Sequence, residues 1–221
     1  MTTEHRPAPE RRDGRAQLHV RESLRQQILG GDLAPGQRLV ESDLAEQFGV
    51  TRASVRAALI DLTGEGLVER IQHRGARVRV VTLDEAIEIT ECRMVLEGLC
   101  AAKAAQRAST TDIAALVAFR DAMRDAVATG AVLRYSELNH ALHQRIRELS
   151  GQHTAARTVE RLRGQFVRHQ FRLALQPGRP ATSLPEHERI IAAIVARDPA
   201  EAERAMRAHL VSVIETLRAC W

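Results

Sequence analysis

The stretch LVERIQHRGARVRVVT, residues 67–82, restricts the possible folds of this chain more than any other. Its β-branched residues alternate with arginine around an Arg-Gly pair at 74–75, and a period of two about a glycine-bearing turn predicts a two-stranded hairpin. Elsewhere the chain reads as helix. Aromatic residues make up only 3% of 221 residues, and rows of Ala, Leu, Arg and Glu favour helix nearly throughout. The one other interruption is GGDLAPGQRL, residues 30–39, a Gly/Pro turn cluster that ends the helix VRESLRQQILG.

Between these two interruptions lies ESDLAEQFGVTRASVRAALIDLTGEGLVE. It holds two apolar-periodic helices joined by a tight FGV turn. Leu44, Ala45 and Phe48 form one inner face, and Val55, Leu59 and Leu62 the other. Thr51 is placed to cap the second helix, whose first turns carry Arg52, Ser54 and Arg56. In helix-turn-helix proteins those turns enter the major groove, where arginine pairs with guanine edges or phosphate. The hairpin then serves as a wing with Arg74 at its tip. Residues 16–80 therefore read as a winged helix-turn-helix, preceded by a disordered arm over residues 1–15.

After the hairpin, TLDE at 82–85 is a capping box, and helical sequence runs to the end. Six helices are expected at about 83–107, 111–129, 132–149, 153–176, 185–197 and 199–219. SLPE places a cap at Ser183 with Glu186 three residues on, and DPAE puts Pro199 at a first helical position. The fold class is mainly α: a winged unit and then an all-helical unit over residues 83–221.

Composition excludes several classes. No apolar run is long enough to span a membrane, and the first fifteen residues lack the apolar centre of a secretory signal, which points to a cytoplasmic protein. Cys92, Cys100 and Cys220 form neither a C-x-x-C pair nor an even set, against a disulfide framework or thiolate metal site. The net charge of +4 permits an anionic partner without requiring one, since residues 1–80 carry 13 Arg against 11 acidic residues.

The helical unit carries a second kind of signal. On the helix containing LNHALHQ, Leu138, Leu142, Ile146 and Leu149 mark the apolar stripe. At about 100° per residue, Asn139 and His143 fall on its shoulder, and His140 faces solvent. His187 shares the inner face of its helix with Ile190, Ile191 and Ile194; His209 flanks Met206, Leu210 and Val213. Each histidine alone reads equally as a core residue satisfied by one hydrogen bond. Three of them with an amide on inward positions of three helices can converge on a divalent ion. Such a set also describes catalytic zinc in a hydrolase, although no H-E-x-x-H occurs, or a metal that only staples the bundle.

Residues 24–78, LRQQILGGDLAPGQRLVESDLAEQFGVTRASVRAALIDLTGEGLVERIQHRGARV, resemble the GntR-type DNA-binding domain at fixed spacing. The resemblance implies a homodimer on a pseudo-palindromic double-stranded operator, with the Ser42 position also reaching DNA. Ala57 stands where a glutamate is common and Ala53 offers only a methyl group, so base preference does not carry over. From about residue 82 to 217, NHALHQRIRELSG and PEHERIIAAIVARDPAEAERAMRAHL resemble the FCD ligand-binding domain of the FadR branch, in its shorter six-helix form. That resemblance assigns metal ligands to Asn139, His143, His187 and His209, and implies a small carboxylate effector. Zinc is the first expectation for the metal, with nickel or manganese as alternatives; Asn139, where Asp is usual, coordinates without adding charge. Arg93 and His169 are the candidate effector contacts, although Arg93 can instead pair with Glu97 at i,i+4.

Overall fold

A computed structural model describes residues 9–71, 75–165, 173 and 176–220, with the side chains of residues 9–12 left aside. The described residues form nine helices and a small three-stranded antiparallel sheet. The chain divides into two compact units, Met1–Val81 and Thr82–Trp221.

In the first unit, α1 (Pro9–Gly30), β1 (Arg38–Leu39), α2 (Glu41–Phe48), α3 (Arg52–Gly64), β2 (Val68–Ile71) and β3 (Gly75–Val78) follow in order. Val20 and Leu24 of α1 are fully buried against a core that includes Leu39, Leu44, Val55, Leu59 and Leu62. The expected disordered arm is corrected over residues 9–15, which extend α1. Local polarity concealed this because the contacts that hold the helix are tertiary. Gln17 donates to the Asp61 carboxylate of α3 at 2.8 Å, and Ser54 of α3 donates to Asp13 at 3.3 Å. Gly49 ends α2 with φ +63, a left-handed conformation that glycine adopts without a Cβ penalty.

The wing gains a strand that periodicity missed. Arg38 and Leu39 pair with Arg77 and Ala76, giving the order β1-β3-β2. Two residues are too few to show a period, but Leu39 points into the core while Arg38 is exposed, as a half-buried strand requires. In the hairpin, Val68 faces Val78 and Glu69 faces Arg77, a pair closed by a 2.6 Å ion contact. Residues 72–74, including Arg74 at the expected tip, lie outside the described residues.

The second unit comprises α4 (Leu83–Arg107), α5 (Thr110–Ala128), α6 (Val132–Ser150), α7 (His153–Gln165), α8 (Arg179–Val195) and α9 (Pro199–Ala219). Helices α4 and α9 pack closely through Ala101, Ala104 and Ala105 against Ala202 and Ala205. Gly98 contributes to the approach: a Cβ there would stand 3.1 Å from Cγ of Arg207. The continuation of the fourth expected helix beyond Gln165 falls largely outside the described residues.

One boundary moves with consequence. Helix α8 begins at Arg179 rather than near residue 185, with Gly178 at its N-cap and Pro180 in its first turn. Ser183 is therefore not a cap: its hydroxyl donates to the Arg179 carbonyl one turn back, at 3.0 Å. Pro185 sits in the second turn, where the carbonyl it leaves without a partner is close to the helix end. Glu186, freed from any capping role, points elsewhere.

Candidate metal centre and nucleic-acid interface

Helices α6, α8 and α9 each bring one imidazole to a common point. His143, His187 and His209 are 3%, 1% and 4% exposed, and their ligand atoms all lie within 4.8 Å of one another. Nε2 of His143 stands 3.3 Å from Nε2 of His187. The Nδ1 atoms are all engaged away from that point: His143 with Glu97 at 2.7 Å, His209 with Glu186 at 2.7 Å, and His187 with the Tyr135 hydroxyl at 3.0 Å. Asn139, one turn before His143, has a buried Oδ1 with no hydrogen-bond partner among the described residues.

Hydrogen counting fixes the ring tautomers. An ionised carboxylate only accepts, so Glu97 and Glu186 leave Nδ1–H and a bare Nε2 on His143 and His209. The Ser183 proton goes to the Arg179 carbonyl. Its oxygen therefore accepts from Tyr135 at 2.7 Å, and the phenol oxygen in turn accepts from His187 Nδ1–H. All three Nε2 lone pairs then face one point. Glu97 is held in its charged form: burial pushes its carboxyl up, but Arg93, His143 and Arg163 together take it well below the usual range. Burial pushes the His143 imidazole down to about 4 against the pull of Glu97, and takes His187 well below its ordinary value, aided by the two neighbouring histidines. Near neutral pH both rings are therefore neutral, and with the His187 proton on Nδ1 neither Nε2 carries one.

Of the two expected effector contacts, His169 lies outside the described residues. Arg93 is buried with its guanidinium on Glu97, 2.9 Å from Nε and 2.8 Å from the nearer Nη, the i,i+4 pair that the spacing allowed. His140 is exposed as its helical phase required, yet its Nδ1 accepts from Arg163 at 2.6 Å. Periodicity overlooked three outer residues. Glu97, Tyr135 and Glu186 hold the histidines from behind, and nothing in their own positions marks them, because an orienting group is recognised only by what it touches.

On the winged unit, Thr51 caps α3 by accepting from the Ser54 backbone N–H at 3.2 Å. Arg52 and Arg56 are exposed on its first turns. Arg56 is held by Glu41, with contacts of 2.7 and 3.1 Å, which keeps the Glu41 carboxyl below its ordinary value. Ser42 is exposed on α2, its hydroxyl on Asp43 at 3.0 Å. Ser54 is corrected: at 4% exposed, with its hydroxyl between Thr51 and Asp13, it faces the core rather than a groove. The reason is helical phase, since Ser54 lies one turn before buried Ala58.

A winged helix-turn-helix followed by an all-helical unit is the architecture of a two-unit DNA-binding regulator. Residues 16–78 match the family described as bacterial regulatory proteins, gntR family, and residues 88–212 match the FCD domain. The chain belongs to the GntR family of regulators and carries an FCD domain. It is 32% identical over 201 residues to an HTH-type transcriptional regulator in an unstable DNA locus of Streptomyces ambofaciens, covering 89% of this chain and 84% of that one. It is 27% identical over 195 residues to the HTH-type transcriptional repressor RspR of Escherichia coli, covering 88% and 86%. The solved structure of E. coli McbR/YncC shares the fold, with a TM-score of 0.73 at 23% identity over 92% of this chain and 97% of that one. These relatives are regulators rather than enzymes, which sets the hydrolase alternative aside. Among the described residues no helix is long and apolar enough to cross a membrane.

Proposed function

We propose that this regulator binds a divalent metal through His143, His187, His209 and Asn139, and that a small carboxylate effector acts on operator binding through that metal. The observation that carries the reading is the convergence of bare Nε2 atoms. Two lone pairs 3.3 Å apart in a buried site repel unless a cation lies between them; burial disfavours a second proton on either ring, and the Tyr135 contact draws the one His187 proton to Nδ1. The separation equals the edge of a tetrahedron with metal–nitrogen arms of about 2.05 Å. The orphaned Asn139 oxygen supplies a fourth donor. Carboxylates behind His143 and His209 raise ligand basicity, as outer partners of metal-bound histidine do. Zinc suits three imidazoles and an oxygen, and nickel or manganese would retain further positions for water or carboxylate.

The operator side of the reading rests on Ser42, Thr51, Arg52 and Arg56, all exposed on the helix-turn-helix, with Arg74 expected from sequence alone. The partner is double-stranded DNA bound by a homodimer on a pseudo-palindrome. Helix α4 offers a face for the second copy, where Cys92, Val95 and Leu99 are exposed at helical spacing. An effector that shifts the spacing of two recognition helices weakens half-site binding, and RspR, named a repressor, provides a precedent for release of repression. The test is elemental analysis of purified protein with operator binding measured before and after chelation. One metal per chain and a chelation-sensitive response to acid support the reading. Metal-free protein that still responds to acid refutes the coupling.

A further inference from the structure

Among its described residues, the second unit buries more positive than negative charge. Its charged residues buried among the described ones are Arg93, Arg147, Arg163 and Glu97, three cations to one anion. Glu97 directs one oxygen to Arg93 and the other to His143, with Arg147 at 4.0 Å. Arg147 has one further partner, Glu160 at 3.3 Å, whose side chain is 52% exposed. Its Nη1 is buried with no hydrogen-bond partner among the described residues. Among the described residues Arg163 donates to a neutral acceptor, His140 Nδ1, and feels Glu97 and Glu160 only electrostatically. Burial and the neighbouring arginines push its guanidinium down to about 10. The residues that follow cannot complete the balance, because residues 161–185 contain no Asp or Glu and five Arg.

Buried cations without counter-charge are costly, and an unmet guanidinium donor more so than a neutral one. Both heads lie on the Glu97 side of His143: Arg147 is 4.0 Å from the Glu97 oxygen that meets His143, and Arg163, held by His140, acts electrostatically on both Glu97 and His143. We infer that Arg147 and Arg163 form an anion subsite next to the metal, and that the effector is a small acid with at least two anionic groups. The inference builds on the metal reading, in which one carboxylate meets the metal; the second group meets the arginine pair. A guanidinium fork suits a planar carboxylate, and equally the oxygens of a phosphate ester.

The test uses the full zinc-loaded chain and a series of acids of three to six carbons, each dicarboxylate and phosphate ester set against the monocarboxylate of equal length. Binding is read by thermal shift and calorimetry. The expected result is at least tenfold tighter binding of a doubly charged acid, with the preference lost in Arg163→Gln and in Arg147→Lys, the second keeping charge and bulk should the first misfold. Retained zinc stoichiometry in both variants separates this subsite from the metal ligands. Loss of the preference for two charges on zinc removal, with zinc still bound by the variants, assigns one group to each subsite. Equal binding of singly and doubly charged acids, a preference that survives both variants, or no shift from any dianion overturns the inference. Failure of the untreated protein to bind zinc instead overturns the metal reading, and a charge preference that persists there still supports the arginine pair.

Discussion

Replacing Tyr135 with Phe separates the metal reading from a merely packed core. The phenol is 4% exposed, and its hydroxyl, pushed up to about 12 chiefly by burial, stays protonated at any working pH. It accepts from His187 Nδ1–H and donates to Ser183. Phe keeps the ring and removes the hydroxyl that helps to hold the metal-binding tautomer, leaving the Ser183 backbone contact. In the metal-bound protein the His187 donor loses a buried partner, a cost of about 1–2 kcal/mol. The metal-free protein has an escape: its His187 ring can carry the proton on Nε2 and donate to His143 Nε2 at 3.3 Å. Its stability should then change by less than about 1 kcal/mol. The difference, up to about 2 kcal/mol, weakens zinc binding by as much as roughly 30-fold at 1.4 kcal/mol per tenfold. A competition titration with a chromophoric chelator measures the affinity, and urea denaturation of stripped protein measures the fold. Unchanged zinc affinity, or a loss of affinity matched by an equal loss of apoprotein stability, would refute the tautomer argument.

Three further outcomes follow from the same geometry. His143→Ala combined with His187→Ala should abolish stoichiometric metal binding, whereas His140→Ala should retain it; elemental analysis decides both. For the metal-free protein, the His143 imidazole falls from 6.5 to about 4 on folding, so the unfolded chain binds the extra proton between those values. The stability contributed is complete above about pH 6.5 and is lost as pH falls toward 4. It amounts to about 3 kcal/mol, read as the excess pH dependence of the wild type over His143→Gln in urea titrations. On the winged unit, Arg52→Ala should weaken DNA binding and lower the salt slope by about 1, while Ser54→Ala should cost about 1 kcal/mol of stability and leave base preference intact. An operator-binding assay over a salt series, with a thermal melt, measures both; altered base preference in Ser54→Ala would return that residue to the interface.

Much of this was legible along the chain. Period and punctuation are local, so the helices, the hairpin and the tight turn at Gly49 follow from neighbours in sequence. The inward phase of His143, His187 and His209 follows from 3.6-residue geometry, as does the outward phase of His140. Other features depend on contacts between distant segments. Ser183 and Glu186 have the spacing of a capping box, yet α8 begins four residues before Ser183 and turns both residues toward the histidines. Residues 9–15 are helical because α1 meets α3, and β1 exists because β3 offers its edge.

The sequence by itself determined the order of elements, the helix-turn-helix with its wing, and which faces of the later helices point inward, because each depends on residues within a turn or two. Only the tertiary structure decided what those faces meet. It set three imidazoles on one point and chose their tautomers through Glu97, Tyr135 and Glu186. It also buried Arg147 and Arg163 beside them with too little counter-charge. Apart from the i,i+4 pair of Arg93 and Glu97, hydrogen-bond direction and charge balance depend on groups 13 to 52 residues apart, a range that no local pattern encodes.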